Sequence, residues 1–326
     1  MKKESKVIKA MIGLAVSASF SYGILASGQE SSSETKTKLE DVRGNEGKTD
    51  VDQLITNKRM RADSGSKSEL SLSTQFSYYG GTVLQPGSKI RPNIRDAANT
   101  QTMAAIVGQV SGKYRVSERG SVSAGVGLQM LAPFHEPISN SAVTNAKGEK
   151  ATRNDIFDPN VTYTYLDKFS GVQSVSTVSL IGNSTAYSRQ YGYVATLEGS
   201  QTFMKDIGTT GLSLGALLVA GASSFDDFSF KARSNSSDYY FGIYPCLEYV
   251  FNDTFNFRTI SGLWAYEHSR NARSPWTFAK NVIYQSVGLG ISVTRDIFLY
   301  PNIQFQPEHI EAKATNVGLT AYVNVF

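Results

Sequence analysis

The sequence predicts an all-β protein, a single antiparallel up-and-down barrel of about twelve strands (roughly ten to fourteen fit the pattern) that crosses a membrane with its strands. Three observations predict it. Apolar and polar residues alternate with a period of two about a dozen times, as expected when one face of each strand meets lipid and the other a lumen. The connections between these segments alternate between short and long. After residue 28 the longest apolar run is GlyAlaLeuLeuValAlaGlyAla, 215–222, far short of the roughly 20 residues that a membrane-spanning helix needs.

At the N-terminus, Lys2, Lys3, Lys6 and Lys9 precede an apolar stretch from Ala10 to Ala26, and AlaSerGly at 26–28 offers small residues for cleavage. Residues 1–28 therefore read as a cleaved secretory signal. Cleavage removes four Lys and one Glu from 32 basic and 28 acidic residues, leaving 28 and 27. A nearly neutral mature chain gives no electrostatic reason to bind nucleic acid. Residues 29–67 are rich in Ser, Lys, Glu, Thr and Asp, a composition that predicts a disordered tail. Its last part differs: Asp50 could cap a short helix over 50–62, with Val51, Leu54 and Ile55 on one side. Such a helix could fold back and partly plug the barrel mouth.

The barrel itself is expected over 68–326, with strands near 68–79, 101–115, 121–131, 157–166, 172–181, 191–203, 210–222, 238–251, 255–266, 278–293, 297–306 and 315–326. In the first, Leu70, Leu72, Thr74, Phe76 and Tyr78 share the lipid face, while Ser71, Ser73, Gln75 and Ser77 share the lumen face. Strand seven follows the same rule, Leu214 toward lipid and Ser213 toward the lumen. Short turns and longer loops alternate, which puts both termini on the side of the short turns, the periplasm, and the loop at 132–156 outside the cell. Aromatic residues gather toward strand ends, Phe298 among them, where they would form interfacial girdles. Pro159, Pro245 and Pro301 recur in an apolar-any-Pro-any-apolar-polar-aromatic pattern. A proline has no N–H for the ladder, so each should sit at a bulge or strand end.

The last strand, ThrAsnValGlyLeuThrAlaTyrValAsnValPhe, ends on Phe326, with Tyr322 four residues earlier. It resembles the closing strand of Gram-negative outer-membrane β-barrels of porin-like architecture. Asn324 departs from that pattern, since the family usually carries a large apolar residue there. The resemblance implies a terminal insertion signal at Tyr322 and Phe326 read by the barrel-assembly machinery. It also implies an outer-membrane location among lipids and lipopolysaccharide.

Period two turns Asn160 and Thr162, Tyr244 and Glu248, and Asn302 and Gln304 inward, and Lys113, Arg115, Glu198 and Arg258 are the remaining inward candidates. If AsnAspThr (252–254) is a three-residue loop, Glu248 stands directly opposite Arg258. These ten residues are the expected lumen lining. Twelve strands enclose a narrow or partly occluded lumen, so the leading expectation is passive diffusion or uptake of small solutes. The alternative is a closed barrel that displays surface loops for adhesion or cell-surface interaction.

A lipid hydrolase would need a base and partners at one level on one face. His135, His268 and His309 all fall on the loop side, and His268 and Ser269 are adjacent and so point to opposite faces. No enzyme, cofactor or metal site is expected. Asp226, Asp227 and Asp238 lack calcium-loop spacing, and a single Cys246 cannot form an intramolecular disulfide.

Overall fold

The computed structural model describes residues 51–92, 101–135, 154–185, 188, 191–226 and 236–325. The expected signal segment, the tail up to Asp50, the middle of the 132–156 loop, Asp227 and Phe326 lie outside the described residues.

Sixteen strands lie among the described residues. β1 (Leu70–Thr82) is followed by the short β2 (Ile90–Pro92) and β3 (Gln101–Met103), which pair only with each other. Then come β4 (Ala105–Arg115), β5 (Gly120–Leu131), β6 (Asn154–Phe169), β7 (Val172–Gly182), β8 (Tyr193–Asp206), β9 (Leu212–Phe225) and β10 (Ser237–Val250). The last six are β11 (Phe255–Gly262), β12 (Trp264–Ser269), β13 (Phe278–Lys280), β14 (Tyr284–Ser292), β15 (Ile297–Phe305) and β16 (Asn316–Val325). β11 and β12 both pair with β10 and are two lengths of one stave; β14 and β13 pair with them in turn as the next stave. The result is a closed barrel of twelve antiparallel staves. β16 pairs with β15 on one side and with β1 on the other, from Leu72↔Val325 to Thr82↔Asn316, and this ladder closes the ring.

Each strand alternates between side chains exposed on the outer wall and side chains turned into the interior. On β1, Leu70 and Leu72 are exposed on the outer wall and Ser71 is buried in the interior; β9 repeats the arrangement with Leu214 outside and Ser213 inside. The tight hairpin between β6 and β7 turns on Ser170 (φ 49°) and Gly171 (φ 76°), the pair of positive φ angles that a two-residue turn matching strand twist requires. The connections sort as the sequence predicts: tight turns at one end, called here the turn end, and longer segments at the other, the loop end.

The three prolines behave differently from one another. At Pro159 the β5–β6 register shifts, and Asp158 adopts φ 45°. Asp158 then exchanges hydrogen bonds with Ser184, its N–H donating to the hydroxyl at 2.7 Å and its carboxylate accepting from the Ser184 N–H at 2.8 Å. Pro245 keeps register with Ala216 of β9, and the break falls on the partner stave between Gly262 and Trp264. Pro301 needs no bulge: its missing N–H coincides with an interruption of the β14–β15 ladder between Gly288↔Asn302 and Ile291↔Leu299.

Two further expectations are corrected. Phe298 is not in an outer girdle; it is 1% exposed and lies inside the barrel against Tyr322. The stretch expected as tail with one helix over 50–62 is instead two short helices, α1 (Val51–Leu54) and α2 (Lys58–Ser64), folded into the turn end of the barrel. Ile55 and Met60 are buried against Leu166, Val175, Met204 and Cys246 of the inner wall. The sequence period could not supply one long helix because Asn57 interrupts it; its side chain accepts from the Met60 N–H at 3.0 Å and caps α2.

Candidate channel interior

The interior has a floor and a chamber. The floor is the plug formed by α1 and α2, and the wall residues that hold it lie near the turn end. Asn57, at the break between the helices, donates its N–H to Gln173 at 2.7 Å and its amide to Glu248 at 2.7 Å. Gln173 in turn donates to Asp206 at 3.2 Å, which accepts from Ser213 at 2.6 Å.

The C-terminal end of α2 leaves carbonyls without helical partners, and the wall provides donors for them. Asn324 donates to the Ala62 carbonyl at 2.7 Å and Lys113 to that of Asp63 at 3.3 Å, and just beyond the helix Arg115 donates to the Ser66 carbonyl at 2.7 Å. Lys113 is a cation at the negative end of a helix, the favourable sign for its dipole. Gly65 ends the helix at φ 91°, and a Cβ there would come within 2.8 Å of the Lys113 side chain. The rim adds Arg295, which donates to Asp52 at 3.0 Å, and Lys67, paired with Asp52 at 2.9 Å.

Glu248 and Arg258 face each other across the β10–β11 hairpin, joined at 2.8 Å with side chains only 4% and 7% exposed. Glu248 accepts a third donor, Asn256, at 3.2 Å, and the Arg258 guanidinium lies over the Tyr300 ring at 5.2 Å. A buried pair holds together when its remaining lone pairs and protons are satisfied in this way.

Above the plug lies a chamber of about 480 Å³. One wall, from β1 and β4–β8, is mostly neutral and hydrogen-bonding, with Ser73, Ser77, Gln109, Ser111, Thr162, Thr177, Ser179 and Ser200. Cross-strand hydroxyl pairs run along it: Thr162 with Ser179 at 2.8 Å, Thr177 with Ser200 at 2.6 Å, and Ser77 with Thr320 at 3.0 Å. Lys113 stands at its base and Glu198 and Asp158 are also in its lining. At the loop end, Arg91 of β2 turns inward, donating to Gln304 at 2.8 Å and to the carbonyls of Gly80 and Val317 at 3.0 and 3.2 Å.

The ten predicted lumen residues have different surroundings. Lys113, Arg115, Glu248 and Arg258 are engaged by the plug or its supports. Asn160, Thr162 and Glu198 line the chamber, with Glu198 accepting from the Tyr240 hydroxyl. Asn302 is buried among Ser286, Gln304 and the Tyr300 carbonyl, Gln304 meets Arg91, and Tyr244 is partly buried on the inner face of β10. Tyr322 also faces inward, under Arg59 of the plug at 5.7 Å. Sequence reading missed Gln173, Asn256, Asn324 and Arg91. Inward parity was available for Gln173, Asn256 and Asn324, but not for Arg91, which falls between two predicted strands; the contacts of all four were not readable.

His268 is held by Asp238 at 2.6 Å and by the Ser274 carbonyl at 3.0 Å, and it stacks on Tyr239 at 4.2 Å. Both ring nitrogens are thus occupied by structural contacts. Among the described residues no group of three His, Cys, Asp or Glu side chains has metal-holding geometry.

No protein-family model matches the chain. Comparison with curated proteins gives no match either. Among solved structures, the chain is similar to an outer membrane channel from Pseudomonas putida F1, at 12% identity and a TM-score of 0.50, covering 81% of this chain and 98% of that one. The NanC porin and the KdgM porin align at 11% and 10% identity with TM-scores of 0.43 and 0.41, over 78% of this chain and 98% and 99% of theirs. What the chain shares with the Pseudomonas putida channel is the fold, a closed antiparallel β-barrel.

Proposed function

We propose that the chain is a Gram-negative outer-membrane barrel, without enzymatic activity, that forms a narrow passive channel for small solutes, its termini and plug on the periplasmic side. The observation that carries this reading is the 480 Å³ chamber lined mostly by neutral hydroxyl and amide groups, with charges of both signs among them, inside a closed barrel with exposed apolar residues on its outer wall. A chamber of this kind solvates small polar solutes without a one-sign ladder that would select strongly for anions or cations.

A second reading is a closed barrel that displays its long connections at the cell surface. It is favoured by one observation: the plug fills the turn end, with Ile55 and Met60 almost wholly buried against the wall. Planar-bilayer recording decides between the two. A channel gives discrete conductance steps from the full chain, larger ones when residues 29–68 are removed, whereas a surface-displaying barrel is electrically silent in both forms despite verified insertion.

A further inference from the structure

A second cavity, of about 380 Å³, lies at the turn end beside the plug, between α2 and the turns that join β10 to β11 and β14 to β15. Three cations line it, Lys58, Arg61 and Arg295, against one acid, Asp253. The Asp253 carboxylate is fully exposed and 3.6 Å from Lys58, so solvent screens most of its effect.

The cavity also gathers unused donors. Seven buried side-chain polar atoms among the described residues have no protein hydrogen-bond partner, and three of the seven, Arg61 Nε, Arg295 Nη2 and Ser292 Oγ, belong to residues lining this cavity. The rest of each guanidinium is held in place. Arg61 Nη2 donates to the Thr56 carbonyl at 3.1 Å, and Arg295 gives Nε to Asp52 and Nη1 to Asp296 and the Gly65 carbonyl. Buried donors left unpaired are costly, so such a cluster calls for acceptors. Asp52 and Asp296 offset much of the Arg295 charge, but the free guanidinium edges stay fixed in direction, and such edges favour an acceptor that is anionic and carries several oxygens.

We propose that this cavity binds a small oxyanion of the phosphate or carboxylate class, whose oxygens accept from Arg61, Arg295 and Ser292. Arg61 belongs to the plug, while Ser292 and Arg295 belong to the barrel rim. The bound anion therefore ties the plug to the barrel.

Isothermal titration of inorganic phosphate into the detergent-solubilised full chain at low ionic strength tests this, and it does so whether or not the barrel conducts. Wild type, Arg61→Gln, Ser292→Ala and Lys205→Gln are compared, each first checked for a folded barrel by heat-modifiable gel migration; Lys205 lies outside the cavity lining. Saturable one-site binding is expected in wild type and Lys205→Gln, about tenfold or more weaker in Arg61→Gln and measurably weaker in Ser292→Ala, which keeps every charge. The proposal is overturned by absence of saturable binding in wild type, by wild-type affinity in both cavity variants, or by equal weakening in Lys205→Gln, which would mark unspecific charge attraction.

Discussion

Asn57 of the plug and Glu248 of the barrel wall are joined by a 2.7 Å hydrogen bond across 191 positions of sequence. The same carboxylate holds Arg258 at 2.8 Å, so the plug is fastened to a group that the wall has already fixed in place. Asn57 also caps α2. Asn57→Ala removes a cap worth about 0.5–2 kcal/mol and a hydrogen bond to a charged group worth about 1.5–3 kcal/mol. The expected outcome is a loosened plug in an intact barrel: faster proteolysis within 51–68, with heat-modifiable migration unchanged. Protection equal to wild type would mean that Asn57 does not anchor the plug.

Removing the other partner should act on the barrel itself. In Glu248→Ala the Arg258 charge stays buried without its counterion, a change that costs about 3–5 kcal/mol. Denaturant unfolding in detergent micelles is the readout. Glu248→Gln keeps an acceptor for Arg258 and should cost less than the alanine variant; the reverse order would show that the retained hydrogen bond contributes nothing.

These two residues mark how much was legible. Glu248 and Arg258 could be paired from sequence because a three-residue turn fixes the register of one hairpin, and parity then fixes the face. The plug was not legible to the same degree. Its partners, Gln173, Lys113 and Asn324, come from three distant strands, and nothing local to 51–68 says which wall groups will meet it. Asn324 illustrates the gap: it departs from the expected terminal pattern because it faces inward and donates to the Ala62 carbonyl.

Gly65 joins a left-handed backbone to a close approach. At φ 91° any side chain is strained, and a Cβ would crowd Lys113 at 2.8 Å. Gly65→Ala should destabilise plug docking by about 1–2 kcal/mol, visible as faster hydrogen exchange over α2 and not over the barrel staves. Exchange rates like those of wild type would show that the helix end adjusts without strain.

Depth along the strand separates two outward leucines. Leu214 pairs with Lys205, close to the β8–β9 turn, whereas Leu218 pairs with Gln201, further along the stave. Leu214 thus sits near the rim of the barrel, and Leu218 nearer the middle of the stave. For a barrel in a membrane, Leu218→Arg should cost about 2–4 kcal/mol and Leu214→Arg about 0–1 kcal/mol. Ser213 is no open lumen position either; it is buried and bonded to Asp206, so Ser213→Arg should also destabilise. Reversible folding into lipid vesicles measures all three, and equal costs for the two leucines would contradict this placement in a bilayer.

Stability and assembly come apart at the C-terminal strand. Tyr322 is 7% exposed, with its ring inside the barrel near Phe298 and its hydroxyl 3.4 Å from Arg59. A residue so placed contributes through packing, and Tyr322→Ala should lower equilibrium stability by about 3–5 kcal/mol, the range for removing a buried aromatic ring. Tyr322→Phe keeps the ring and should lose little. Deleting Phe326 tests the proposed insertion signal, and its expected effect is slower assembly, followed as the time course of heat-modifiable migration in cells. If Tyr322→Ala slows assembly while leaving equilibrium stability intact, Tyr322 acts as part of a recognition signal and its inward packing contributes little.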